Sequence, residues 1–160
     1  MDQNQFPASV RPLLKMFKVD FRPHQPPRTT SWAIASFVAI VGSLIADAIL
    51  VKIGEAVYPS TKGYQHFIFS DYAKLTIVGV IIACVGWQIV ARITSQPTWL
   101  FFRTAILVTL VLLLPDLYIW MLGQSGQAVF VLVWMHLAIA VVTYLALVIL
   151  SPVQRGRHSR

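Results

Sequence analysis

Charge is what this sequence has least of. Asp, Glu, Lys and Arg make up 12% of its 160 residues, against about 25% in an ordinary soluble domain. None of the four occurs between Asp116 and Arg155. Hydrophobic residues reach 57% and the mean hydropathy is +0.69. A water-soluble globule of this size has too much surface for its volume to hide so many apolar side chains. A soluble enzyme and a disordered chain are both excluded. Cysteine is nearly missing as well. Cys84 stands alone, which excludes an internal disulfide, a CxxC redox centre and a cysteine-based zinc site. The four-helix, quinone-reducing enzymes that form disulfides are excluded with it. Polarity does not alternate anywhere over the ten or so residues of a barrel strand, so a transmembrane β-barrel is excluded too. What remains is a small polytopic α-helical membrane protein.

A helix rises about 1.5 Å per residue and the hydrocarbon core is about 30 Å thick, so a span needs about 20 apolar residues. Four segments have that length: 32–51, 72–93, 99–122 and 128–150. Between them lie a loop around Tyr58-Pro59-Ser60-Thr61-Lys62-Gly63, a polar turn at Thr94-Ser95-Gln96-Pro97, and a second turn at Gly123-Gln124-Ser125-Gly126-Gln127. The expected architecture is an all-α, antiparallel four-helix transmembrane bundle over residues 31–151. A basic, Pro-rich arm (1–30) precedes it and a short basic tail (152–160) follows. About thirty residues come before the first span and no small-residue cleavage site follows a short apolar stretch, so it is not expected to be a cleaved signal peptide.

Lys and Arg set the orientation. Arg11, Lys15, Lys18, Arg22, Arg28, Arg92, Arg103, Arg155, Arg157 and Arg160 fall on one side. Lys52, Lys62 and Lys74, offset by Glu55 and Asp71, fall on the other. Both termini are therefore expected in the cytoplasm. The net charge of +7 needs no nucleic acid as a partner, because anionic lipid headgroups suffice. In the arm, Val10, Leu13, Leu14 and Phe17 recur at helical spacing beside a stripe of Arg11, Lys15, Lys18 and Arg22. This is the pattern of a short helix lying in the headgroup plane. Membrane anchoring outweighs a docking role for a cytoplasmic partner. Phe21-Arg22-Pro23-His24-Gln25-Pro26-Pro27 then forms a stiff linker.

Each span has one small or polar face: Ser36, Ser43, Asp47 and Gly54 on the first; Thr76, Gly79, Ala83 and Gly86 on the second; Thr109, Asp116 and Gly123 on the third; His136, Ala140 and Thr143 on the fourth. Small residues let helices approach closely in lipid, so these faces are expected to turn inward. Packing explains Asp47, Asp116 and His136 least well. An acid near the bilayer centre costs roughly 2.5–3.5 kcal/mol on insertion scales. Counted from the outer ends of the spans, the three lie about 6, 9 and 12 Å deep. Lys74 can approach from above or snorkel to the headgroups. Pro115 removes a backbone bond, is expected to kink the third span, and frees the Val111 carbonyl beside Asp116. Arg103, one turn inside that span, is read as snorkelling.

The cluster admits a structural role that fixes helix register, a proton or cation site, and, more weakly, a metal or catalytic site. Its members come from three helices with no tight ligand pair on any of them, which argues against metal. Bis-histidine haem needs two facing intramembrane histidines, and His66 sits in a loop. Ala46-Asp47 and Pro115-Asp116 lack the glycine-rich context of intramembrane aspartyl proteases. No cofactor and no catalytic residue is implied. The aromatic loop from Gly54 to Asp71 reads as an interfacial belt, with a lid over the cluster as the other use.

The run Arg103-Thr104-Ala105 through Leu113-Leu114-Pro115-Asp116-Leu117, followed by Val133-Trp134-Met135-His136-Leu137, resembles a group of small actinobacterial four-helix membrane proteins with no assigned activity. The likeness extends over about residues 30 to 150. It implies a four-span fold in a bacterial plasma membrane and carries no catalytic residues with it. Small multidrug exporters share the four spans, but they centre on a Glu in the first helix and lack a long basic arm. The sequence therefore reads first as an accessory or scaffold subunit, with a possible protein partner or a homo-oligomer. Its alternative is a small proton- or cation-coupled transporter using Asp47, Asp116 and His136.

Overall fold

The computed structural model describes residues 7–16, 26–94 and 96–153. A short helix, α1 (Arg11–Met16), precedes four long ones: α2 (Thr29–Val57), α3 (Phe69–Ile93), α4 (Pro97–Met121) and α5 (Gly126–Leu150). All four are long and apolar enough to cross a membrane. Proline and glycine punctuate the chain as their chemistry requires. α2 begins after Pro26-Pro27 and stops before Pro59, and Pro97 opens α4 where its missing N–H costs nothing. At the end of α4, Gly123 adopts φ +87°. Its N–H donates to the Trp120 carbonyl and that of Gln124 to the Ile119 carbonyl, a Schellman closure that favours glycine. Gly123 is thus a turn residue, not the last member of an inward stripe on α4.

The helices form a ring in chain order, α2 beside α3, α3 beside α4, α4 beside α5, and α5 closing most extensively on α2. The α2 surface explains that last contact. Its buried positions are Ala35, Ala39, Ser43, Asp47, Val51 and Gly54, a ridge at near four-residue spacing with little side-chain bulk. The α2 and α5 backbones therefore approach closely. A Cβ on Gly54 would fall 2.7 Å from Val131 Cγ2.

Two apolar clusters fill the interior. The one at the α3–α4 turn end gathers Ala35, Ala39, Val80, Cys84, Trp87, Phe101 and Leu147. There Trp87 Nε1 donates to the Ser151 carbonyl at 3.0 Å, and Trp32 Nε1 to the Cys84 carbonyl at 3.1 Å. Leu14 of α1 packs against this cluster, so the arm helix touches the end of the bundle through that residue while Leu13 stays exposed. Phe17, Lys18 and Arg22 lie outside the described residues. The second cluster, at the end bearing the 58–68 loop, joins Val51, Phe67, Tyr72, Ala73, Val131, Leu132 and Met135. Isoleucine, leucine and valine cover the outward faces, as spans surrounded by lipid require.

Two expectations are corrected. The first span does not stop at Val51 but runs to Val57. Lys52 carries its side chain outward, 84% exposed, so charge there does not end the helix. On α3 the buried face is Tyr72, Ala73, Thr76, Val80, Cys84, Trp87, Val90 and Ala91. Of the small-residue seam only Thr76 is buried, and a Cβ on Gly79 or Gly86 would meet nothing within 4 Å. In lipid both sides of a span are apolar, so a glycine seam does not itself say which way it faces.

The two kinds of glycine give opposite expectations. Gly54→Ala must push Val131 aside and should lower unfolding stability by about 1–3 kcal/mol. Gly79→Ala meets open space and should be neutral or slightly stabilising. Unfolding midpoints in a mild detergent, titrated with a denaturing one, compare the two directly.

Candidate functional site

Each of the four spans brings a polar side chain to one layer near the loop end. Asp47, on the α2 ridge, is fully buried, and its Oδ2 accepts a 2.6 Å hydrogen bond from Thr76 Oγ1 of α3. Its other oxygen, Oδ1, is buried and has no hydrogen-bond partner. One turn away, Ser43 Oγ lies 3.4 Å from Thr143 Oγ1 and links α2 to α5. Across the ring, Asp116 Oδ2 of α4 lies 3.0 Å from His136 Nδ1 of α5. The same nitrogen is 3.0 Å from the Leu132 carbonyl one turn back. A carbonyl only accepts, so Nδ1 carries a hydrogen and aims it at Leu132. Asp116 Oδ2 sits against that nitrogen with no hydrogen bond of its own. Asp47 and His136 come from the two helices that pack most extensively, α2 and α5, within electrostatic range of each other.

The depths follow from the helix bounds. Asp47 lies ten residues before Val57, about 15 Å from that helix end, deeper than the 6 Å expected from a span ending at Val51. His136 lies about 15 Å from Gly126, Thr76 about 10 Å from Phe69 and Asp116 about 8 Å from Met121. All four are within the apolar thickness of the bundle.

Asp116 has a particular place in α4. That helix buries only Leu100, Phe101 and Asp116, so beyond its first two turns the single buried side chain is a carboxylate facing α5. Pro115, next to it, is exposed, and α4 continues through it as one helix. The ring still removes the N–H that would have bonded Val111. Lys74 does not join the layer: it is exposed on α3, on the side away from Thr76. Arg103 lies with its guanidinium carbon 4.2 Å from the Trp99 ring, a cation–π contact at the opposite end of α4.

Sequence reasoning missed Thr76 as the partner of Asp47, and it missed Tyr64. The loop folds as two 3-10 turns, Pro59–Thr61 and Gln65–Phe67, and Ser60 Oγ donates to Gln127 Oε1 at 2.6 Å, tying it to the start of α5. Tyr64, between the turns, stacks edge-on with His66 and Phe67. Its hydroxyl is buried without a hydrogen-bond partner. Burial first, and the nearby Asp116 second, push that hydroxyl above its ordinary value, so it stays a neutral donor over the layer. His66 Nδ1 lies 3.2 Å from Asp71 Oδ2 in the first turn of α3, both half-exposed, and belongs to the surface. The only cue for Tyr64 was a hydroxyl-bearing aromatic in the one long loop.

A family of unknown function, DUF6069, has a model that matches residues 23–151. The chain belongs to that family. No curated protein and no solved structure matches it. The segment matched to DUF6069 takes in all four spans and every member of the polar layer, while α1 (Arg11–Met16) lies outside it.

The Asp116–His136 contact can be tested by isosteric replacement. Asp116→Asn keeps an acceptor beside His136 and should leave stability nearly unchanged. Asp116→Leu removes it and should cost about 1–2 kcal/mol, read from unfolding in detergent or bilayer.

Proposed function

We propose that the chain is an accessory or scaffold subunit of a plasma-membrane assembly, with both termini in the cytoplasm. Its polar layer serves to order the bundle. The observation that carries this reading is the distribution of the layer: each span supplies one polar group, and the close pairs, Thr76 with Asp47 and Asp116 with His136, each join adjacent helices. Polar contacts between helices in lipid fix which faces meet and in what register: the Thr76–Asp47 hydrogen bond is worth about 0.6 kcal/mol on average, and Asp116 adds a close contact to the His136 ring nitrogen. A bundle whose α4 buries three side chains gains most from such pins.

Lateral assembly is supported by what faces outward. The Gly79, Ala83 and Gly86 seam of α3 leaves open space around both glycines, and α4 presents Ile106, Leu107, Leu110, Val111 and Leu114. Arg28, Arg92 and Arg103 gather at the end opposite the 58–68 loop, which supports cytoplasmic placement of that end. Arg11 and Lys15 belong to α1, which packs at that same end through Leu14, where their charge suits anionic headgroups. The likeness of the Leu113–Leu117 and Val133–Leu137 segments to small actinobacterial four-helix proteins is what suggests a bacterial plasma membrane.

Purification of the tagged protein from its native membrane in gentle detergent, followed by native mass measurement, tests this. A companion polypeptide in fixed stoichiometry is expected. A lone chain, or a homo-oligomer with nothing else bound, contradicts an accessory role.

A further inference from the structure

The layer is unbalanced in charge. It contains two carboxyl groups and one imidazole. Asp116 and His136 lie against each other and cancel when the imidazole holds both its protons. Asp47 is left over. The groups facing it can be named element by element: Thr76 and Tyr72 from α3, His136 from α5, and, through His136, Asp116 from α4. On α2 itself the nearest polar side chain is Ser43, engaged with Thr143. Lys52 and Glu55 lie farther out, 4.0 Å from each other, and Lys74 points away. Among the described residues no Lys or Arg faces Asp47.

A bare carboxylate there would be an isolated charge in a low-dielectric interior, which proteins avoid by pairing the group or neutralising it. Thr76 satisfies one oxygen. Oδ1 is completely buried and unpartnered, and its lone pairs are what a ligand would use. A metal cation needs several oxygen ligands around it, and among the described residues the Thr76 hydroxyl alone is hydrogen-bonded to the Asp47 carboxylate. A proton needs a single lone pair.

We propose that Asp47 is a proton-binding site: its Oδ1 holds an exchangeable proton that is taken from, and returned to, water at the loop end of the bundle. This goes beyond the ordering role proposed above. In the exchange the carboxylic acid gives its proton to water and becomes a carboxylate, held by the Thr76 hydroxyl and facing the field of His136. The reverse step restores the acid. Two tyrosines stand toward the loop end of the layer: Tyr72, buried near the start of α3 within reach of Asp47, and Tyr64 of the loop, whose hydroxyl is buried. Such a site is what a proton-coupled carrier or a subunit responsive to external pH requires.

Infrared difference spectra of the full chain in lipid vesicles, recorded between mildly acidic and alkaline pH, test the assignment. One neutral-carboxyl C=O band should disappear as the pH rises. It should be missing in Asp47→Asn, where the amide oxygen still accepts from Thr76, and retained in Asp116→Asn. No such band, or a band that survives Asp47→Asn, overturns the proposal. Should Asp47→Asn fail to fold by circular dichroism, the wild type decides the matter. A hydrophobic carbodiimide, which reacts with protonated carboxyls in apolar surroundings, should form an adduct at Asp47 that declines with rising pH. An adduct at Asp116 alone, or none, overturns the assignment.

Discussion

A carboxylate in hydrocarbon must find a partner, and this bundle places two of them in the same layer. Asp47 meets Thr76 and Asp116 meets His136, so the acids that make insertion costly also decide which helices adjoin. Apolar side chains cannot do this in lipid, where leaving the protein surface for the solvent gains nothing. Directional contacts and close backbone packing have to specify the arrangement instead. The Asp47–Thr76 bond sets α2 against α3, and the Asp116–His136 contact sets α4 against α5.

Close packing supplies the α2–α5 side of the ring. The α2 ridge of Ala35, Ala39, Ser43 and Gly54 lets α5 approach until Val131 lies over Gly54, and the Ser43–Thr143 contact falls along the same seam. Asp47 sits in the middle of that ridge. The closeness that removes water from Asp47 is thus produced by the small residues on either side of it. α4 is the opposite case. With little buried surface of its own, its outer part depends on Asp116, next to a proline that has already cost the helix one backbone bond.

The number of spans, their identity as helices and the burial of Asp47 and Asp116 were all legible in the sequence, because apolar length and intramembrane charge are strong local signals. Pairing was not. Thr76 could be placed on a small-residue face, but nothing in the chain says which helix lies beside which, so its bond to Asp47 could not be read. The α3 seam misled for a related reason. Gly79 and Gly86 share a spacing with Thr76, yet one buried residue on a face does not carry its neighbours inward when lipid is as apolar as the core. The end of α2 was misread because Lys52 and Glu55 look like a boundary, whereas a long side chain can leave the helix and reach polar surroundings without ending it. Tyr64 was hidden in an aromatic loop whose ordinary meaning is an interfacial belt.

The central claim is that two polar pairs hold four helices in one arrangement. Double-mutant cycles over Asp47 with Thr76 and over Asp116 with His136, measured by reversible unfolding in bilayers, address it most directly. Favourable coupling of about 0.6–1.7 kcal/mol is expected within each pair. Coupling indistinguishable from zero in both would mean that these residues share a layer without holding it together.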